Sequence, residues 1–598
     1  MLLLNLHKTF ISRVKILLLT LVSFSNLYSE DLELQNNLYK DPYWEKLLHY
    51  KYFDSEIDSD NFFLTSASSS SSLNLKEELF ETIKSLENGT NDVLCRFPLR
   101  TKWLKENIKD LKIKEYECKE LDEYLKQTDA KSLSLVFPTA HINSPASMYG
   151  HTFIKASSQI DTPLISNALN YAAKTDEQNG FIYAFKGVFG GYEGRYSILP
   201  YYEKIKEYNN LEQRDIWEYD LNLNQEEIDR LMLHAWELKD SYADYKFFTE
   251  NCSYSILWLF EVARPNLNLV KKFNFKAIPL DTIKEINKQG LITNSNYRYS
   301  NMKKMKHIKD EKIENKSYIK EFLTSDTKLE NSLSISDKIS YLDLKIAYTQ
   351  YLRTKDDTKK DEYVKEYLKL LKQRSEYKTA SNYEVKEPIN PLFSHDSAKF
   401  SFFYTKNDEF NLGIKPAYND IYDISDGYLE GAYIDFFDLN LKSKKNKSVK
   451  LDRFSLLKIK SISPIDEIFK PLSWAIDTGF EDFKEDDKYF KLMPEFGYSF
   501  GNENNIFYTL ISSKNYIKAH NRNFSLGFNS GLILNPIKNL KIGTSYSLYR
   551  FDSGFINRDF ESFFSYSLHR NLALNLKYQN SNLLKKQDSL KVGLFLYF

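Results

Sequence analysis

Net charge is missing from this chain: 82 Lys and Arg balance 82 Asp and Glu. That removes the electrostatic case for nucleic acid, and no nucleic-acid motif is present. Long apolar runs are missing beyond the N-terminus, so no helix is expected to span a bilayer. Cysteine is limited to Cys95, Cys118 and Cys252. Glycine (19) and proline (15) are not abundant, whereas Tyr (43) and Phe (42) are, a bias compatible with β-rich or membrane-interface structure.

The N-terminus sets the compartment. Lys8, Arg13 and Lys15 precede an apolar run at 16–24 and small polar residues up to Ser29, the pattern of a secretory signal peptide over residues 1–29. An uncleaved anchor needs about 20 apolar residues, and this run has barely half that. In an oxidising compartment Cys95 and Cys118, which flank an amphipathic segment with Trp103, Leu104 and Ile108, are expected to pair as a disulfide. Cys252 is then the odd thiol. The alternative is three buried thiols.

At about 150 residues per domain, 598 residues suggest three or four units. Residues 30–130 carry helix-spaced apolar residues at 43–53, 75–86 and 101–113 and read as a helical domain, interrupted by the serine run 68–72. From residue 131 the pattern changes. Strand character at 132–137 runs into PTAHINSPASMYGHTFIKA, and alternation resumes in a strand beginning at His151. Further short strands are expected at 164–171, 180–187 and 214–221, and the glycines of FGGYEG (189–194) suit a tight turn. An acidic-headed helix at 225–238 leads to FFTENCSYSILWLFEVARP (247–265). Residues 131–290 thus form one α+β domain. Residues 291–390, rich in Lys, Glu and Asp, read as a charged, solvated helical linker with helices at 335–352 and 363–371.

After Pro391 the period switches to two and stays there. Leu590, Val592, Leu594, Leu596 and Phe598 share one face, with Lys591, Gly593, Phe595 and Tyr597 on the other. Roughly twelve such segments fit after Ala398, each near the 9–11 residues that cross a bilayer as a tilted strand. The terminal Phe598 resembles the aromatic last residue common in bacterial outer-membrane barrels. A membrane β-barrel over 391–598 is therefore expected, the competing reading being a soluble sandwich or barrel.

The residue best placed for chemistry is Cys252. Asn251 is a good N-cap, which puts Cys252 in the first turn of a helix carrying Ile256, Leu257, Leu259, Phe260 and Val262, and Arg264 and Pro265 stop it. A thiol there sees unpaired backbone N–H groups and the positive end of the helix dipole, both of which favour thiolate. Such a nucleophile needs a base, and His141 and His151 precede it. His151, after a glycine at a strand start, stands in the order expected of circularly permuted papain-like folds and is preferred. His141 can orient the site, bind substrate or be an ordinary surface histidine.

SPASMYGHTF (144–153) and ENCSY (250–254), with RDIWEYDL (214–221) and the ARP after the helix, resemble the family with an Lnb-type N-terminal periplasmic domain, over residues 133–265. The resemblance implies a permuted papain or NlpC/P60-like thiol-enzyme core, with Cys252 as nucleophile and His151 as base. The third, orienting or substrate-binding group stays open among His141, Asn143, Ser147 and Glu250. Members of the family include a lipoprotein N-acyltransferase, so the implied reaction moves an acyl chain from a phospholipid, through a Cys252 thioester, to the N-terminal amine of a lipoprotein. The barrel would hold the domain at the periplasmic face of the outer membrane. Fold likeness does not choose a substrate. A cell-wall peptidase or amidase of NlpC/P60 type acting on peptidoglycan, and a non-catalytic barrel with a periplasmic binding domain, are the alternatives. No cofactor or metal is expected. The expected architecture is multidomain α+β: helical cap, permuted papain-like α+β domain, helical linker and an antiparallel β-barrel of about 12 strands.

Overall fold

The computed structural model describes residues 37–65, 72–140, 150–175, 177, 180–324, 329, 332–405, 408–444, 448–483, 487–583 and 587–598. The expected signal peptide lies outside the described residues. The chain divides into two units, one of residues 1–134, 153–200 and 221–274, the other of 135–152, 201–220 and 275–598.

In the first unit, capping residues set the helix starts. Asn74 accepts from the N–H groups of Lys76 and Glu77 at the head of Leu75–Asn88, and Asp41 caps Pro42–Leu47, which has proline in its first turn. The helix expected over 43–53 ends early. His49 and Tyr52 have φ of 49° and 61°, which no helix accommodates, and Tyr50–Lys51 pairs with Asp54–Ser55 as a hairpin. Cys95 and Cys118 form the expected disulfide, with Cα atoms 5.3 Å apart. The fully buried Arg100 pairs with the equally buried Glu78 at 3.3 Å, and its guanidinium lies between the rings of Phe62 and Phe97, 4.2 and 4.0 Å from their centroids.

A second buried polar chain was not legible in the sequence. His49 Nε2 lies 3.0 Å from His234 Nε2, His234 Nδ1 lies 2.8 Å from Glu237, and Glu237 accepts the backbone N–H groups of Leu99 and Arg100. One imidazole nitrogen of the facing pair donates and the other accepts. Burial, with His234 beside it, holds His49 well below the usual histidine range. The unfolded chain therefore binds the extra proton first as pH falls below about 6.5. Stability is present above that pH and is lost below it by about 1.4 kcal/mol per pH unit. Thermal unfolding followed by tryptophan fluorescence should show a lower midpoint at pH 5.5 than at pH 7.5 in the wild type, with a smaller difference in His49→Gln. Equal wild-type midpoints would refute this.

Four strands of the first unit lie in the order Tyr242–Asp244, Glu193–Pro200, Asn167–Lys174 and Phe153–Ser157, all pairs antiparallel. The strand expected at 180–187 is instead a helix, Gly180–Phe189, and the strand follows the glycine turn. A short apolar run does not distinguish strand from helix by period alone. Gly190 and Gly191, at φ 94° and 123°, make the turn that separates them.

In the second unit the strands Ile216–Leu221 and Ile292–Arg298 are neighbours. The helices after residue 300 do more than connect. Met305, Ile308, Phe322, Tyr341 and Leu344 form a core that takes in Phe469 from the turn between the fourth and fifth barrel strands. Their charged faces stay in solvent, which is the part that composition showed.

Among the described residues twelve antiparallel strands, from Lys399–Thr405 to Gln587–Tyr597, close into a barrel. The first strand pairs with the last from Lys399↔Tyr597 to Thr405↔Lys591. Alternation assigns the faces: Leu590, Val592, Leu594 and Leu596 are exposed on the outside, while Phe595 and Tyr597 are buried within. Phe400, Phe402, Phe496, Phe507 and Phe564 on other strands are exposed in the same way. A contiguous apolar belt on a closed barrel is the surface of a membrane-spanning protein. Among the described residues no helix is long and apolar enough to cross a membrane.

Eight-stranded barrels are filled by side chains and sixteen-stranded ones hold a channel, so twelve strands leave a lumen to be filled. Residues 416–431, between the second and third strands, fold back into it. Asp423 there is 0 % exposed. Lys415 lies 3.0 Å from Asp420 and 2.9 Å from Asp423, and Lys399 pairs with both carboxylates. The Tyr597 hydroxyl donates to Asp423, that of Tyr422 donates to Glu561, Lys577 donates to the Tyr422 hydroxyl, and Lys541 donates to the Asp423 carbonyl. Six of the twelve strands thus hold one inward segment.

Candidate functional site

Cys252 opens the helix Cys252–Ala263, every residue of which is buried. The local reason is the cap. Asn251 has extended backbone, and its side-chain oxygen accepts from the N–H groups of Ser253 (3.0 Å) and Tyr254 (3.2 Å) and from the Ser253 hydroxyl (2.7 Å). Its amide donates to the Phe247 carbonyl at 2.9 Å, which ties down the loop in front. The helix ends at Arg264, whose guanidinium grips Glu227 through Nε and an Nη. The ARP motif is therefore a structural clamp.

The cysteine is 3 % exposed and stands outside the disulfide. Its backbone N–H donates to the Tyr245 hydroxyl at 3.3 Å. The same phenol hydrogen-bonds the Cys252 side chain, and burial, with the cysteine next, pushes its pKa well above the usual tyrosine value. Tyr245 is thus a neutral hydroxyl held against both the thiol and its N–H. Stacking on Tyr171, with ring centroids 5.8 Å apart, fixes the ring. Sequence reasoning passed over it because an aromatic seven residues upstream of a cysteine has no signature.

The N-terminal segment covers the next turns of this helix. Glu56 accepts from the Tyr254 hydroxyl at 2.8 Å and from the Trp258 indole at 2.8 Å, and His49 stacks on Trp258. At the far end Tyr43 donates to the Val262 carbonyl. Glu250, a proposed orienting group, pairs with Lys246 at 2.6 Å.

His151 belongs to the second unit and Cys252 to the first, so each is described in its own surroundings. Gly150 before the histidine has φ 89°, and a Cβ there would stand 2.4 Å from the Phe137 ring, so the GH pair needs glycine. His151 lies just before the strand Phe153–Ser157, two residues later than that strand was expected to begin. Its N–H donates to the Pro138 carbonyl (3.3 Å), which also accepts from Arg214 (2.7 Å). Arg214 bonds the Thr139 carbonyl as well and lies over Tyr208, whose ring is 5.9 Å from that of His151. The first residue of RDIWEYDL therefore fixes the segment that carries the histidine. Asp215 accepts from the Ser300 N–H and Glu218 from the Tyr201 hydroxyl, which makes these acids structural too. His141, Asn143 and Ser147 lie outside the described residues.

Residues 120–289 match the family model of the Lnb N-terminal periplasmic domain. Residues 388–597 and 36–107 match two domains of unknown function, DUF7840 and DUF7843. No curated protein matches the chain. Among solved structures the KdgM porin in complex with disordered oligogalacturonate is 11 % identical with a TM-score of 0.23, covering 34 % of this chain and 99 % of that one. The NanC porin is 6 % identical at 0.24, covering 34 % and 100 %. The Acinetobacter baumannii outer membrane protein Omp33 is 7 % identical at 0.19, covering 34 % and 98 %. Such scores carry no weight beside the strands themselves, whose closure and apolar belt identify the barrel. Residues 120–289 thus match an Lnb N-terminal periplasmic domain, in an outer-membrane β-barrel protein with a periplasmic domain.

Proposed function

We propose that this protein is a cysteine acyltransferase of the outer membrane. The observation that supports it best is a thiol at the capped start of a buried helix, with a neutral tyrosine hydroxyl on it, inside a domain of the Lnb type. The Cys252 thiolate attacks a phospholipid ester carbonyl; the C–O bond breaks, lysophospholipid leaves with a proton from the His151 imidazolium, and the acyl chain stays as a thioester. The amine of an S-diacylglyceryl-cysteine lipoprotein then attacks the thioester, His151 takes its proton, the amide forms and thiolate is restored. The Tyr245 hydroxyl donates to the thiolate between turnovers.

The test is incubation of the detergent-solubilised protein with labelled phospholipid and mass spectrometry of the Cys252 peptide. An acyl mass on Cys252, chased by a lipoprotein amine, is the expected result. Release of muropeptides from purified cell wall with no acyl adduct would replace this reading by the peptidase one.

A further inference from the structure

At the end of the barrel where the chain enters and leaves, a cavity of about 320 Å³ opens between the turns 538–539 and 570–571 and the segment before the first strand. The chain enters the barrel at this end from the periplasmic domain, which makes it the periplasmic end. The volume is at the small end of ligand cavities, enough for a polar headgroup but not for two acyl chains. Lys538, His569 and Arg570 line it with Asp426, so both signs of charge are present. Arg570 donates through Nε to the Ser394 carbonyl and stands 3.6 Å from Asp396, which orients the guanidinium without using up its donors.

One further observation specifies the occupant. It is the mouth. Leu568 in the lining is the last residue of the outward row Phe560, Phe564, Tyr566 and Leu568, all exposed on the belt. Phe393 and Ile389, also exposed, stand in the same lining. The cavity thus meets the apolar belt at the level where acyl chains begin.

We propose that this cavity binds the headgroup of a zwitterionic aminophospholipid, the phosphate against Lys538 and Arg570, the ammonium against Asp426, and the acyl chains along the Leu568 row. Anionic lipid lacks the ammonium that Asp426 calls for, and inorganic phosphate lacks the chains. The site stands on the barrel alone and does not depend on the chemistry of Cys252. If the proposed acyl transfer holds, it names the donor that the barrel retains.

Native mass spectrometry of the full chain, released from detergent after incubation with phosphatidylethanolamine, phosphatidylglycerol or inorganic phosphate, tests it. One retained phosphatidylethanolamine is expected, at least tenfold above phosphatidylglycerol. Lys538→Glu should cut retention about tenfold, and Asp426→Asn should erase the preference between the two lipids. Heat-modifiable gel migration reports whether each variant is a folded barrel, and Asp426→Asn, nearly isosteric, serves if Lys538→Glu is not. Equal retention of both lipids by the wild type, or retention of phosphate alone, would overturn the proposal. So would variants that match the wild type. Cys252→Ala should retain the lipid as the wild type does, so a failed acyl transfer and a failed lipid site give different results.

Discussion

Replacing Cys252 by alanine should abolish the acyl adduct altogether, while the barrel and the first unit stay folded. The thiol is the only atom in the proposed step that forms the new bond, and no hydroxyl near it has comparable nucleophilicity at neutral pH. His151→Ala should slow adduct formation by about 10²–10⁴-fold, the usual share of a general acid–base group. Tyr245→Phe separates a catalytic tyrosine from a packing one. The ring keeps its stack on Tyr171, but the hydroxyl that touches the Cys252 N–H and side chain is lost. A hydrogen bond to a charged group contributes about 1.5–3 kcal/mol, so the acid limb of the pH–rate profile should move up by about one to two units. An unchanged profile with an unchanged rate would assign Tyr245 to packing only. Adduct formation that survives in Cys252→Ala would end the proposed mechanism.

The barrel supplies the second large effect. In a planar bilayer the wild type should show no steady open conductance, because residues 416–431 fill the lumen and are held from six strands. Deleting 419–427 and bridging the ends with a short glycine–serine link should turn this silent barrel into a conducting one. Asp420→Ala combined with Asp423→Ala should produce intermittent openings. That pair of substitutions leaves Lys399 and Lys415 buried without their main counter-charges, and an uncompensated buried charge costs about 3–5 kcal/mol. Conductance of the wild type equal to that of the deletion would show that the segment leaves a path, and the barrel would then be a pore as well as an anchor.

Much of this architecture was legible because it is local. The helix start at Asn251–Cys252 follows from a side chain that reaches two and three residues ahead, and the barrel follows from an alternation repeated along each strand. Capping and period are properties of neighbouring residues, and they survive folding unchanged. The errors fell where local signals are ambiguous. Residues 180–189 are apolar in a pattern that either a helix or a strand accepts, and the 43–53 helix was interrupted by left-handed residues, His49 and Tyr52, that composition does not announce.

The sequence by itself thus determined the order of the elements, the disulfide partners, the capped cysteine and the two-faced strands of the barrel. Only the tertiary structure decided what touches them: Tyr245 on Cys252, His49 against His234 across 185 positions, and the acidic turn at 420–423 inside the lumen. The physical reason is the same in each case. A buried polar group must find a partner wherever the fold brings one, and that partner is chosen by packing across the chain, which no spacing along it records.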